Sequence, residues 1–160
     1  MAAARYSIDT SALIDGWTGY YPPDVFPGMW EKLEELADQG ILIASEEVLH
    51  ELERKEDELH KWAKQRPHMF VPFDEPVQKA VREILCTHRN LLKQGKTRSG
   101  ADPFVIAVAR TRQCTVVTGE RPSGNPQNKP HIPDVCRAYS IRYLSLLDLL
   151  REQGWVFRRS

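Results

Sequence analysis

The stretch Arg5–Gly16, RYSIDTSALIDG, decides the fold. It reads as a short hydrophobic strand that delivers a carboxylate, Asp9, to its carboxyl end. Thr10 and Ser11 then supply hydroxyls, and Ala12-Leu13-Ile14 turns helical. An acid at that point sits over the crevice where open α/β sheets place their ligands. One acid does not make a site, so the remaining chain is read for carboxylates that reach the same place.

Outward from this stretch, Asp15–Gly28 reads as a loop, marked by glycines and prolines and carrying Trp17, Tyr20 and Tyr21. Trp30, Leu33, Leu36 and Ala37 give a helix that Gly40 stops. Ile41–Ala44 is a continuous apolar run of the kind buried on both faces of a parallel sheet. Ser45 caps the next helix, predicted over Glu46–Gln65, with Glu46 and Glu47 placed in the first turn where the helix dipole favours them. Phe70–Phe73 bridges to a helix from Asp74 through Leu92. Gly95–Gly100 is a basic loop, Ala101–Arg112 a helix, Cys114–Thr118 a strand and Gly119–Pro133 a long irregular segment. Asp134–Tyr139 is a short helix, Ile141–Leu144 the last strand, and Ser145–Gln153 the last helix. This order predicts one domain over residues 1–160, a three-layer α/β/α sandwich with a mainly parallel central sheet.

The composition bounds the function. A chain of 160 residues with 41% hydrophobic and 28% charged residues has the makings of a folded core. No apolar run approaches the roughly 20 residues that span a bilayer, and the N-terminus lacks a signal-peptide hydrophobic region, so a cytoplasmic location is expected. Three widely spaced cysteines, Cys86, Cys114 and Cys136, offer no C-x-x-C pair, and read as small buried hydrophobes. Net charge is zero, which excludes a polyanion magnet. The charges are still uneven: the Glu31–Glu58 segment is strongly acidic, and Arg89–Arg98 holds four bases and no acid. The first reads most simply as a solvated helix face, the second as compatible with phosphate contacts.

Five acids fall at the same end of the expected sheet. Asp9 ends the first strand, and Glu51 lies about a turn and a half into the helix leaving the second. Asp102 opens the helix before the third, Glu120 follows that strand, and Asp134 starts the helix before the fourth. Each has a simpler explanation. Asp102-Pro103 is an ordinary helix start, Glu51 sits on an acidic helix face, Glu120 reads as a surface charge, and Asp134 complements a helix N-terminus. Asp9 competes only with a cap for the turn that follows it. Together they form a constellation, and packed carboxylates are usually reconciled by a hard divalent cation such as Mg²⁺ or Mn²⁺.

Y-S-I-D-T-S-A-L-I-D, E-V-L-H-E-L-E-R and A-D-P-F-V-I-A-V-A followed by C-T-V-V-T-G-E, in this order, resemble the PIN domains, and within them the VapC-type ribonucleases of toxin–antitoxin pairs. The resemblance implies a Mg²⁺- or Mn²⁺-dependent endoribonuclease, with the family's acids falling on Asp9, Glu51 and Asp102. The family's fourth acid follows the third strand as T-x-D; this chain has T-G-E there, so Glu120 and Asp134 both remain candidates. Thr10 or Ser11, and more weakly Thr118, match the hydroxyl that orients water. Lys96, Arg98 or Arg121 would hold RNA backbone by charge. A homodimer and a small antitoxin partner are implied in the same way.

Two other readings compete. One is a PIN-like module that binds RNA or a partner without cleaving, suggested by Glu120 in place of Asp and by the neutral charge. The other is a different strand-end Asp enzyme: a haloacid dehalogenase-like phosphatase needs a second Asp where Ser11 stands, and a response-regulator receiver needs an acid pair and a late Lys that are not evident. The five histidines show no ligand pair, with His131 the one near Asp134.

Overall fold

The computed structural model describes residues 3–55, 57–91 and 101–158. Five strands, β1 (Tyr6–Ile8), β2 (Leu42–Ser45), β3 (Phe70–Val71), β4 (Thr115–Val117) and β5 (Tyr143–Leu144), form one sheet in the order β3-β2-β1-β4-β5. Every pairing is parallel, in register Tyr6 to Leu42, Ala44 to Phe70, Tyr6 to Thr115 and Val116 to Tyr143. Parallel pairing requires crossovers, and the helices that supply them cover the sheet to give the three-layer α/β/α sandwich. β1 is central and wholly buried. From it the chain moves outward through β2 and β3, then returns to the other side with β4 and β5. The order therefore reverses between β1 and β4, and their carboxyl ends flank the crevice where such folds bind ligands.

The helices are α1 (Thr10–Asp15), α2 (Pro27–Asp38), α3 (Glu46–Glu53), α4 (Glu58–Lys64), α5 (Glu75–Thr87), α6 (Asp102–Arg112), α7 (Ile132–Ala138) and α8 (Leu146–Glu152). α6 lies against β1, β2 and β4, with α5 and α7 packed on it. That placement explains its composition: the DPFVIAVA run is buried almost throughout rather than on one stripe. Ser7, a buried hydroxyl in β1, is satisfied by donating to the Val105 carbonyl at 3.1 Å.

Four local expectations change. Phe70–Val71 is not a bridge but an edge strand, because the chain emerging from the Pro67–Met69 turn runs alongside β2. The helix expected over Glu46–Gln65 is two helices. Among the described residues its polar stretch has no buried anchor between Leu52 and Leu59, and Asp57 starts a new helix by accepting from the His60 amide at 3.1 Å. The segment after Gly16 is not a simple loop: Gly16–Tyr20 is a π-helical turn continuing α1. Trp17 holds it by packing against Trp30 and Trp62, with ring centroids 4.8 and 6.3 Å away. Finally, α5 stops at Thr87, followed by a 3₁₀ turn at Arg89–Leu91. Ser45, Asp74 and Ser145 cap their helices through side-chain oxygens. Cys114 and Cys136 are buried as expected, whereas Cys86 is exposed. Leu92, the basic loop Gly95–Gly100, Lys96 and Arg98 lie outside the described residues.

Candidate active site at the carboxyl ends of the central strands

Asp9 follows β1 directly and is 2% exposed. It is the cap of α1, accepting from the Ala12 amide at 2.7 Å, so the simpler explanation of this residue is also true. A cap needs one acceptor; Asp9 has more than that around it. Thr118, the residue after β4, donates its hydroxyl to Asp9 Oδ2 at 2.5 Å, the length of a charge-assisted O–H···O bond. The Ser11 hydroxyl lies 2.9 and 2.8 Å from Oδ1 and Oδ2, and in turn accepts from the Gly119 amide at 3.0 Å. The ends of β1 and β4 are thus tied across the switch point through one carboxylate. Thr118 Oγ1 also accepts from the Glu120 amide at 3.0 Å, which fixes where Glu120 leaves the strand.

Asp102 is the first residue of α6, not its cap; Ala101 holds the cap position. It is 3% exposed, and at that helix end the dipole favours a negative charge. Its charge acts on Asp9. Burial lifts the Asp9 carboxyl to about 7 against the three hydrogen bonds that favour its anion, and the repulsion from Asp102 adds to the rise. Glu51, half-buried on α3, accepts from the Ala101 amide at 2.7 Å through Oε1. It has left its acidic helix face and points to the start of α6, beside Asp102. Glu120 comes close enough that its charge, with that of Asp9, raises the Cys136 thiol, although burial is the main reason that thiol reaches about 12.

Asp134 is placed differently. Its Oδ2 accepts from the Ser123 amide at 3.0 Å and the His131 amide at 2.8 Å, pinning the irregular segment to the start of α7. His131 donates through Nδ1 to the Arg121 carbonyl at 2.7 Å. The hydroxyls also sort themselves: Ser11 and Thr118 hold Asp9, while Thr10 Oγ1 is buried without a hydrogen-bond partner among the described residues. Asp15 was not singled out from the sequence. It stands one helical turn after Ser11, and its carboxylate occupies the space where a Cβ on Gly119 would go. The i, i+4 spacing from Ser11 to Asp15 is the signal that could have found it.

A cleft of about 430 Å³ opens beside this site, sharing Thr118, Gly119 and Glu120 with it and running toward the start of α8. The donor chemistry, buried carboxylates and hydroxyls, suits a hard divalent cation. Among the described residues, no group of three His, Cys, Asp or Glu side chains is gathered closely enough to hold one.

A family model for a domain of unknown function, DUF4411, matches residues 6–157. The chain belongs to the DUF4411 family. None of the curated proteins compared matches it. The match runs from β1 to beyond α8, so every acid of the site lies inside the DUF4411 domain. No helix among the described residues is long and apolar enough to cross a membrane.

Proposed function

We propose that this DUF4411 chain is a metal-dependent endoribonuclease that hydrolyses RNA phosphodiester bonds, acting as the toxin of a type II toxin–antitoxin pair. The observation that carries the reading is the buried Asp9 carboxylate at the switch point, with Asp102 buried near it and Glu51 turned to the same helix end. A carboxylate raised to about 7 has an unmet need for positive charge, and a second buried acid deepens it. The ordered resemblance to PIN domains supports the same reading from the sequence side.

Drawn closer together than they stand without the ion, Asp9, Glu51 and Asp102 would hold Mg²⁺ or Mn²⁺, with Glu120 in the fourth place, since Oδ2 of Asp134 already accepts from two backbone amides. Such an ion, when bound, supplies activation of water and offsets charge on a phosphate. The protein's own part is positioning. Thr118 and Ser11 clamp both oxygens of Asp9, so its orientation is set before substrate arrives. Arg121, exposed on the segment after β4, can meet the RNA backbone. In this role the protein would act in the cytoplasm as a homodimer, neutralised by a small antitoxin.

The test is cleavage of a mixed RNA pool with Mn²⁺. Wild-type protein should cut, EDTA should stop it, and Asp102→Asn should stop it while leaving the circular dichroism spectrum unchanged. Unchanged cleavage by Asp102→Asn overturns the assignment. The second reading, a PIN-like module that binds RNA without cutting it, draws on the Glu120 substitution and on the spacing of the acids. Saturable Mn²⁺ or RNA binding without any cleavage would favour it.

A further inference from the structure

The cleft beside the acids has a composition that the hydrolytic site does not explain. At its lip stands Tyr20, 73% exposed, an aromatic ring carried into water by the π-helical turn Gly16–Tyr20. Its floor is apolar, built by Leu144 and Leu146. Its polar wall includes three acids, Asp15, Glu120 and Asp148, the last paired with Arg151, against one base, Arg121. A volume of about 430 Å³ suits a small ring system and not a folded partner. With three carboxylates to one guanidinium, which stands where the cleft meets the segment after β4, the lining favours a group with hydrogen-bond donors over a second phosphate.

We infer that this cleft is a subsite for one unstacked nucleobase of the substrate, stacked on Tyr20 and selected for bases that carry an exocyclic amino group. The inference rests on the ribonuclease reading and deepens it. A π-face on one side and an apolar floor on the other accept any base. Carboxylate oxygens accept from the amino groups of cytosine, adenine or guanine, whereas uracil offers no amino donor to this wall. Entry of a base into a cleft requires that it leave a helical stack, so the substrate at this position is single-stranded. The cleft adjoins the acids through Thr118–Glu120, so the nucleoside it holds is one next to the phosphodiester presented to Asp9.

The experiment measures fluorescence anisotropy of short labelled homopolymers of A, C and U with the full-length protein in EDTA, where no cleavage interferes. Expected are tighter binding of A and C than of U, weaker binding of the same sequence as a duplex, and about tenfold weaker binding of A and C by Tyr20→Ala. Tyr20→Phe, which keeps the ring, should bind like wild type, and the exposure of Tyr20 leaves the fold intact in both variants. Equal or tighter binding of U, equal binding of duplex, or no effect of Tyr20→Ala overturns the inference. The two readings fail separately. Tyr20-dependent binding in EDTA without any Mn²⁺-dependent cleavage leaves the subsite standing and removes the nuclease. Cleavage by wild type that Tyr20→Ala leaves unaltered, with binding also unaltered, does the reverse.

Discussion

A buried aspartate that is also a helix cap carries two opposed demands. The Ala12 amide and the Ser11 and Thr118 hydroxyls stabilise the Asp9 anion, but removal from water outweighs them and lifts its carboxyl to about 7. The folded value lies above the unfolded one, so the stabilising contribution of Asp9 is complete below the unfolded pKa and is lost as pH rises through about 7. Metal-free protein should therefore lose stability between about pH 4 and pH 7, by on the order of 4 kcal/mol from this group. Urea melts in EDTA across that range should show the slope in wild type and flatten it in Asp9→Asn. Glu51 permits a cleaner separation of roles. Glu51→Gln keeps an oxygen for the Ala101 amide and should preserve the melting temperature while removing RNA cleavage. Glu51→Ala leaves that amide without its acceptor and should cost about 1–3 kcal/mol in denaturant melts.

The turn from α1 into the π-helical segment is where local structure meets the site. Two of its glycines look alike in the sequence and differ in their surroundings. A Cβ on Gly16 would lie 2.8 Å from Leu146 Cδ2 and 3.5 Å from Trp30, both buried, whereas a Cβ on Gly19 would meet nothing within 4 Å. Gly16→Ala should therefore destabilise by about 1–3 kcal/mol through overpacking. Gly19→Ala should be neutral or stabilising by up to about 1 kcal/mol, as alanine in a helical turn usually is. Thermal melts of the pair decide this directly. The same segment explains a misreading of the sequence. Glycine, proline and aromatics from Asp15 to Gly28 spell a loop by composition, and only the packing of Trp17 on Trp30 and Trp62 makes the first third helical. The Glu46–Lys64 break is the converse case, where an apparently continuous helical pattern is interrupted by the Asp57 cap.

At the scale of the molecule, one aromatic cluster joins the parts that carry the site. Trp30 on α2 packs edge-on against Trp17 and Trp62 of α4, and donates its indole N–H to the Tyr21 carbonyl at 2.6 Å. It ties the cleft wall to the helices that cover the sheet. Trp30→Ala should cost about 3–5 kcal/mol. Where the variant still folds, it should weaken RNA cleavage more than Gly19→Ala does, because the Tyr20–Tyr21 wall loses its anchor. Denaturant melts and cleavage rates measured on the same preparations check both parts.

The α/β order of elements, the parallel sheet and the presence of an acid after β1 were legible in the chain, because short apolar strands and helical periodicity are local signals that burial rewards directly. Ser45 and the carboxyl-end position of Asp9 were legible for the same reason. What the tertiary structure alone decided is which acid serves which purpose. Glu51 and Asp134 are both carboxylates on helices. One reaches across to the Ala101 amide beside Asp102, and the other closes a loop on the Ser123 and His131 amides. Those choices depend on which backbone donors lie within reach after folding, 50 residues away for Glu51. The His131 amide, three residues from Asp134, is a local capping partner, but sequence spacing carries no information about the distant Ala101 and Ser123 donors. The chain determines that carboxylates arrive at one end of the sheet; packing determines that Asp9 is buried there, clamped by Ser11 and Thr118, with Asp102 near enough to raise its pKa.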